Sequence, residues 1–165
     1  MQAETTQHVL TGWGRTAPSG ARVRRPRSDD DVAHAVDDAP DRGTIARGLG
    51  RSYGDAAQNA GGEVLDMTGL HDLRALDLDA GVVKATAGTS LDELMRRLVP
   101  LGWFVPVTPG TRYVTVGGAI AADIHGKNHQ SEGSFCTHVR ELTLQTATGE
   151  RLVVGPDRQP DVFWA

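Results

Sequence analysis

The sequence has only one cysteine, Cys136, in 165 residues. A single cysteine excludes an intramolecular disulfide framework and leaves the redox compartment undecided. The chain also has no run of about 18 apolar residues, so no transmembrane helix is predicted. Its first segment, Met1 to His8, is polar and contains an acidic residue, and it therefore lacks the apolar core of a secretory signal peptide.

Basic residues are in the minority. The chain has 17 Lys and Arg against 21 Asp and Glu, which gives a net charge of −4 and argues against nucleic-acid binding. A local basic cluster is formed by Arg22, Arg24, Arg25 and Arg27. We interpret it as a solvated strand edge, with contact to an anionic surface as the alternative. The chain has no internal repeat or low-complexity linker, and its length predicts about one domain.

The chain is predicted to mix short strands and helices and to contain at least one hairpin, which indicates an α+β fold. Ser28 is expected to cap a helix from Asp29 to Asp38, and Ser90-Leu91-Asp92-Glu93 is a capping box for a helix ending near Val99. Strands are predicted at residues 23–25, 44–46 and 63–67, and hairpins at residues 73–87 and 139–154. Trp13-Gly14-Arg15 is interpreted as loop, with Trp13 as a packing anchor or a lid over a ligand.

Glycine is abundant, at 20 of 165 residues against an average of roughly 7%. A glycine-rich loop, Arg47-Gly48-Leu49-Gly50-Arg51-Ser52-Tyr53-Gly54-Asp55, follows the predicted strand at residues 44–46. Its glycines let consecutive backbone N–H groups converge on an anion such as a diphosphate, with Arg47 or Arg51 available to offset the charge. The loop matches neither the dinucleotide fingerprint nor the P-loop. A glycine-rich surface turn is the alternative interpretation.

A second glycine region runs from Pro109-Gly110-Thr111 to the segment Val114–Ala122. Small residues at 117–122 allow a helix or turn to pack closely against a flat ligand. Thr115 is the expected cap, and exposed N–H groups at such a start would favour phosphate. Two backbone cradles favour a large cofactor with two phosphates, and close helix–strand packing is the alternative.

The densest polar cluster is Asp123-Ile124-His125-Gly126-Lys127-Asn128-His129. The spacing of His125 and His129, with Asp123 nearby, raises the possibility of a metal site. Gly126 argues against the continuous helix that this spacing needs, and no H-E-x-x-H pattern is present, so no metal site is expected. We expect His125 to lie against a cofactor or substrate, and Lys127 to bind an anionic group of the substrate.

With these motifs, the chain resembles the FAD-linked oxidases of the vanillyl-alcohol-oxidase type. The resemblance is carried by R-G-L-G-R-S-Y-G-D, A-Q-N, P-G-T-R, T-V-G-G-A-I-A and D-I-H-G-K-N-H, and it spans nearly the whole chain. It implies a two-lobed FAD-binding domain at residues 15–165, preceded by an N-terminal arm at residues 1–14. The first lobe would cover residues 15–105 and a second, incomplete lobe residues 106–165. Because an apolar pattern begins near residue 161 and stops, we expect a fragment. The resemblance implies that the fragment lacks the substrate domain, and we expect no turnover by it alone.

The resemblance also assigns site residues. The first loop would hold the FAD diphosphate, which places the following residues on the cofactor: Ala46, Arg47, Gly48, Leu49, Gly50, Arg51, Ser52, Tyr53, Gly54, Asp55 and Ala56. The other two motifs would add Gly110, Thr115, Val116, Gly117, Gly118, Ala122, Asp123, Ile124 and His125. His125 would be the catalytic, flavin-side residue, and Gly126 and Lys127 would contact the substrate. Non-covalent FAD is expected, because Arg51 and Tyr113 stand where some relatives attach the flavin through histidine or cysteine.

Within that family the chain is most similar to the branch that oxidises the 2′-hydroxyl of a polyprenyl-phosphate ribose. The resemblance implies a separate NADH-dependent keto-reductase partner that completes the inversion and supplies cell-wall arabinan. It implies a cell-envelope location, periplasmic or peripheral to the inner membrane, with membrane contact through regions outside this sequence; a cytoplasmic location is the alternative. Two other functions stay open: another FAD-linked alcohol or alditol oxidase, and a nucleotide-binding module without redox activity.

Overall fold

The computed structural model describes residues 5–165, so the first part of the polar segment, Met1 to Glu4, lies outside the described residues. A four-stranded sheet with the order β1-β2-β4-β3 forms the first part of the fold. Its strands are β1 (Thr5–Leu10), β2 (Ser19–Arg24), β3 (Thr44–Arg47) and β4 (Glu63–Asp66). Strand β1 is antiparallel to β2, whereas β2 and β3 both run parallel to β4. Together with the helices, this mixed sheet confirms the α+β prediction.

Strand β1 was not predicted from the sequence. It pairs with β2 along its whole length, from Thr5 opposite Arg24 to Leu10 opposite Ser19. Its sequence has no alternation of apolar and polar residues that would indicate a strand, and five of its six residues are exposed. The pairing also starts β2 at Ser19, earlier than the predicted start at residue 23. The loop interpretation of Trp13-Gly14-Arg15 is confirmed.

Both predicted helix caps are confirmed. Helix α1 (Asp29–Asp37) begins at Ser28, whose hydroxyl accepts a hydrogen bond from the Asp31 N–H. Helix α2 (Leu91–Leu98) begins at Ser90, whose N–H donates to the Glu93 carboxylate at 2.8 Å. Each capping box satisfies N–H groups that the first helical turn leaves without an internal partner.

Two apolar cores lie beyond the first sheet. The first is formed by α2 and the hairpin of β5 (Leu73–Asp77) and β6 (Val82–Ala85), together with Val105. The second is formed by Cys136, Val154 and Phe163. It involves the hairpin of β7 (Leu142–Gln145) and β8 (Arg151–Val154) and the terminal helix α5 (Pro160–Phe163), after the short helices α3 (Val116–Ala121) and α4 (His129–Glu132). Phe163 is therefore a core residue.

The connection between β3 and β4 determines where the glycine-rich loop lies. Parallel neighbours cannot be joined by a tight turn, so residues 48–62 must leave the carboxyl end of β3 and return to the amino end of β4. The Asn59 side chain fixes the returning part, donating to the carbonyls of Arg42 and Gly43 at 3.2 and 3.0 Å. The glycine-rich loop is thus held at the carboxyl edge of the sheet. Across residues 5–165, every helix is too short or too polar to cross a membrane.

Candidate functional site

The glycine-rich loop presents a series of free backbone donors. Within residues 5–165, no protein atom accepts a hydrogen bond from any backbone N–H between Leu49 and Asp55. Residues 52–56 are exposed, and Gly50 has a φ of +66°, a conformation that glycine adopts without strain. Successive unpaired N–H groups in such a turn form a concave site that favours an anion. The loop therefore presents unpaired N–H groups to a ligand, and its role as an anion cradle stays a prediction.

The segment Gly12-Trp13-Gly14 supports this loop from one side, a role that sequence analysis did not assign. The N–H groups of Trp13 and Gly14 donate to the carbonyls of Ser52 and Tyr53 at 2.7 and 3.2 Å. In a trans peptide unit the C=O and N–H groups point in opposite directions. The N–H groups of Tyr53 and Gly54 therefore face away from this segment. A side chain at position 12 would lie 2.9 Å from the Gly54 carbonyl carbon, so glycine is required for the contact.

The two arginines of the loop bind protein carbonyls. Arg47 donates to the carbonyls of Thr11 and Ala57 at 2.6 and 3.0 Å, and burial lowers the pKa of its guanidinium while Asp66 opposes that shift. Arg51 donates to the Leu49 carbonyl. Its guanidinium carbon also lies 4.7 Å from the centre of the Trp13 ring. Arg47 therefore links the two ends of the loop, and the expectation that Arg47 or Arg51 offsets phosphate charge stays a prediction.

Replacing Arg47 with alanine is expected to lower the free energy of unfolding by about 2 kcal/mol, because two carbonyls lose a charged donor. The matched control is Arg42→Ala, since Arg42 is exposed and its side chain donates no hydrogen bond within the described residues. Urea unfolding of the full-length apoprotein measures both changes. Equal midpoints for Arg47→Ala and Arg42→Ala would show that this link contributes nothing.

The second motif lies directly against the first loop. Thr115 caps α3, as predicted, and its hydroxyl accepts from the Gly118 N–H at 3.2 Å. A side chain at Gly48 would lie 3.1 Å from the Thr115 methyl group, so the two motifs pack in close contact. The structure thus brings together two residues that the resemblance assigned to the same cofactor.

The expected exposed N–H groups at the start of α3 are absent from the structure, and that prediction is wrong. The N–H of Val116 donates to the Thr89 carbonyl and that of Gly117 to the Ala87 carbonyl, both at 2.8 Å. Gly117 permits this approach, because an added Cβ would lie 2.9 Å from the Ala87 methyl group. The N–H groups of Val116 and Gly117 are therefore used in close packing against residues 87–89, as the alternative interpretation predicted. The first turn of α3 thus leaves no free N–H group for a phosphate, whereas the glycine-rich loop does.

The third motif and Gly110 line one cleft of about 640 Å³. Its walls are formed by Thr108, Pro109, Gly110, His125, Gly126, Lys127 and Asn128. The predicted flavin-side residue His125 and the predicted substrate residues Gly126 and Lys127 therefore share a site. Sequence analysis gave no role to Thr108, Pro109 or Asn128, although Pro109 and Asn128 lie within quoted motifs and Thr108 directly precedes one.

Residues 123–129 are not a continuous helix, as the glycine at position 126 predicted. Asp123 has a φ of +36° just after α3 ends. The Asp123 carboxylate accepts from the Cys136 N–H at 2.9 Å, and this bond, aided by Ser134, lowers the pKa of the carboxyl group. Asp123 therefore anchors the backbone. The rings of His125 and His129 lie 5.2 Å apart, and no group of three metal-ligating side chains occurs within the described residues.

The other predicted cofactor residues occupy two kinds of position. Val116 and Ile124 pack partly buried against the α2 core, so contact with a ligand would come from their backbone. Ala46, Gly118 and Ala122 are exposed. All of them stay predictions as ligand contacts.

Comparison with known proteins relates the whole chain to a family and a fold. A family model described as an FAD binding domain matches residues 20–155. Over 98% of its length the chain is 53% identical to a decaprenylphosphoryl-beta-D-ribose oxidase of Mycolicibacterium smegmatis, covering 36% of that relative. Over 87% of its length it is 27% identical to an L-gulono-1,4-lactone dehydrogenase of Mycobacterium tuberculosis, covering 34% of it.

A solved structure shows the same fold. The crystal structure of 6-hydroxy-D-nicotine oxidase from Arthrobacter nicotinovorans matches 100% of this chain and 38% of its own, with a TM-score of 0.84 at 24% identity. At that identity the likeness concerns the fold alone. The chain spans 36% and 34% of the two curated relatives, about a third of their length.

Proposed function

The chain belongs to the FAD binding domain family, and on that premise we propose that it forms the cofactor-binding part of a flavin-dependent sugar oxidase. The proposed reaction is oxidation of the 2′-hydroxyl of decaprenylphosphoryl-β-D-ribose to a ketone. The substrate is suggested by 53% identity to a relative named for it. FAD is the cofactor that the resemblance implied, and the family match confirms it.

The observation that carries the proposal is the run of free N–H groups from Leu49 to Asp55. These donors would suit the diphosphate of FAD, because they have no protein acceptor within residues 5–165 and no side chain stands at Gly50 or Gly54. When bound, FAD supplies a two-electron acceptor for oxidation of an alcohol. The protein's part is to hold the diphosphate on this loop.

The cleft is the proposed binding site of the substrate. Lys127 carries the one full positive charge among the residues that line it, and a lysine ammonium is a compact point charge suited to phosphate. His125 lies on the same wall and would position the sugar or the flavin ring. Glycine at position 126 lets this wall pack on the Thr108 backbone, since an added Cβ would lie 3.2 Å from the Thr108 carbonyl carbon.

The test is anaerobic mixing of the full-length FAD-loaded protein with decaprenylphosphoryl-β-D-ribose. Loss of visible flavin absorbance is expected with this lipid and not with alditols or sugar lactones. Reduction by the alditols or lactones alone would favour the second candidate, another alcohol oxidase, which the likeness to a lactone dehydrogenase supports. No reduction by any of them would favour a nucleotide-binding module.

We expect the flavin to be held without a covalent bond. The side chains at the two attachment positions, Arg51 and Tyr113, cannot form the usual histidyl or cysteinyl link. Cys136 is buried, and burial raises the pKa of its thiol to about 11, so the nucleophilic thiolate is scarce near neutral pH. Acid precipitation of the full-length protein should release the yellow colour into the supernatant. Colour kept by the washed pellet would contradict this expectation.

The proposal extends to a partner and a location. The keto product would pass to a separate NADH-dependent reductase, completing inversion at the ribose 2′ carbon, and both proteins would act at the cell envelope. The support is the likeness to the oxidase of Mycolicibacterium smegmatis. An assay with both proteins should form the arabinose lipid, whereas either protein alone should not.

A further inference from the structure

Asn128 begins helix α4 in an unusual way. Its main-chain carbonyl accepts from the N–H groups of Ser131 and Glu132 at 3.0 and 2.9 Å, so the helix starts there. An asparagine at this position normally caps the helix by accepting a backbone N–H with its side-chain oxygen. The Asn128 side chain makes no such bond. Its amide is therefore committed elsewhere.

The Asn128 amide reaches the segment that leads into the opposite wall of the cleft. Its Nδ2 donates to the Pro106 carbonyl at 2.8 Å. Pro106 lies between Val105 and Val107, which are 6% and 0% exposed, so the backbone that accepts this bond is anchored in the apolar interior. The bond ties an exposed segment to a fixed one.

The Asn128 side chain also packs against Gly126, which lies on the same side of the cleft. An added Cβ at Gly126 would lie 2.9 Å from the Asn128 Oδ1 atom and 3.2 Å from the Thr108 carbonyl carbon. Gly126 is thus held between the Asn128 amide and the Thr108 backbone. The neighbouring N–H of His129 donates to the Gly126 carbonyl at 3.1 Å, which closes the turn.

We propose that Asn128 is a positioning residue that sets the separation of the two cleft walls. One wall is the segment 108–110 and the other is the segment 125–127, so the Asn128–Pro106 bond fixes Lys127 and His125 relative to Gly110. The role in substrate binding rests on the proposed function, because it takes the cleft as the site of the sugar phosphate. The tie itself is independent of the ligand.

The test variant is Asn128→Asp in the full-length protein. Aspartate has the same size and is an equally favoured helix start, but it has no N–H to donate and turns a carboxylate toward the Pro106 carbonyl. Loss of this bond is expected to raise KM for decaprenylphosphoryl-β-D-ribose about tenfold, with kcat and the FAD dissociation constant within about twofold of wild type. Gln130→Ala, an exposed change in the same helix, is the control and should leave all three constants unchanged.

Two further measurements separate positioning from other roles. In the Lys127→Ala background, Asn128→Asp should change KM little further, because a residue that acts through Lys127 couples to it. Additive effects would overturn the proposal. Amide hydrogen exchange is also measured in the absence of substrate. In the Asn128→Asp variant, exchange should be faster than in wild type within segments 105–110 and 124–128 and unchanged elsewhere.

The outcomes also separate this proposal from the proposed function. If wild-type protein does not oxidise the lipid, the proposed function fails, whereas the exchange measurement still decides whether Asn128 holds the walls together. Unchanged exchange overturns the tie even if KM rises, because Asn128 would then contact substrate directly. Faster exchange throughout the chain also overturns it, since Asn128 would then stabilise the fold as a whole.

Discussion

The Gly50→Val variant of the full-length protein is expected to bind FAD at least about 100-fold more weakly than wild type. Gly50 has a φ of +66°, where a side chain costs about 1–2 kcal/mol and a β-branched one more. An added Cβ would also meet the Arg47 guanidinium, with its central carbon at 3.0 Å. Valine therefore strains the turn and displaces the arginine that holds it. A total of about 3 kcal/mol corresponds to the expected loss of affinity.

Two variants serve as comparisons. Arg51→Ala should weaken FAD binding less than about fivefold, because it leaves the backbone donors in place and removes one of two loop arginines. Gly20→Val tests a valine introduced in strand β2, where the added Cβ has no atom within 4 Å, and should change nothing. Titration of the apoproteins with FAD gives all the dissociation constants. Equal values for Gly50→Val and wild type would contradict the role of this turn.

The Lys127→Ala variant is expected to raise KM for the phosphoribosyl lipid about 30-fold with kcat unchanged. The expected loss corresponds to about 2 kcal/mol, the value of a hydrogen bond to a charged group. An interaction that is equally strong in the ground state and the transition state alters KM alone. Lys127 lies exposed in the cleft, so the FAD dissociation constant should not change.

The matched control for this prediction is Lys84→Ala. Lys84 is the only other lysine of the chain and lies exposed on strand β6. Steady-state kinetics of both variants with the same lipid measure the difference. A collapse of kcat at constant KM in Lys127→Ala would place this lysine in the chemical step instead of in phosphate binding.

Features that depend on neighbouring residues were predictable from the sequence. The capping boxes at Ser28 and Ser90 each involve residues three apart, and both formed as predicted. The glycine-rich loop is local in the same sense, since its donors and its positive φ at Gly50 lie within one turn. Strand β1 was missed because its order depends on pairing with β2 and not on a burial pattern of its own.

Features that depend on distant partners were not predictable. The donors at Val116 and Gly117 could be seen in the sequence, but their acceptors come from residues 87–89. Arg47 likewise binds the carbonyls of Thr11 and Ala57, which no local pattern connects to it. A sequence shows which groups can donate, whereas the tertiary fold decides whether a ligand or the protein itself receives the bond.

The location of the FAD diphosphate is tested most directly by amide hydrogen exchange of the full-length protein with and without FAD. The donors from Leu49 to Asp55 have no protein acceptor, so FAD should slow their exchange strongly. The donors of Val116 and Gly117 already bind the Thr89 and Ala87 carbonyls and should change little. Slowed exchange at the start of α3, with none in the glycine-rich loop, would show that the diphosphate lies elsewhere.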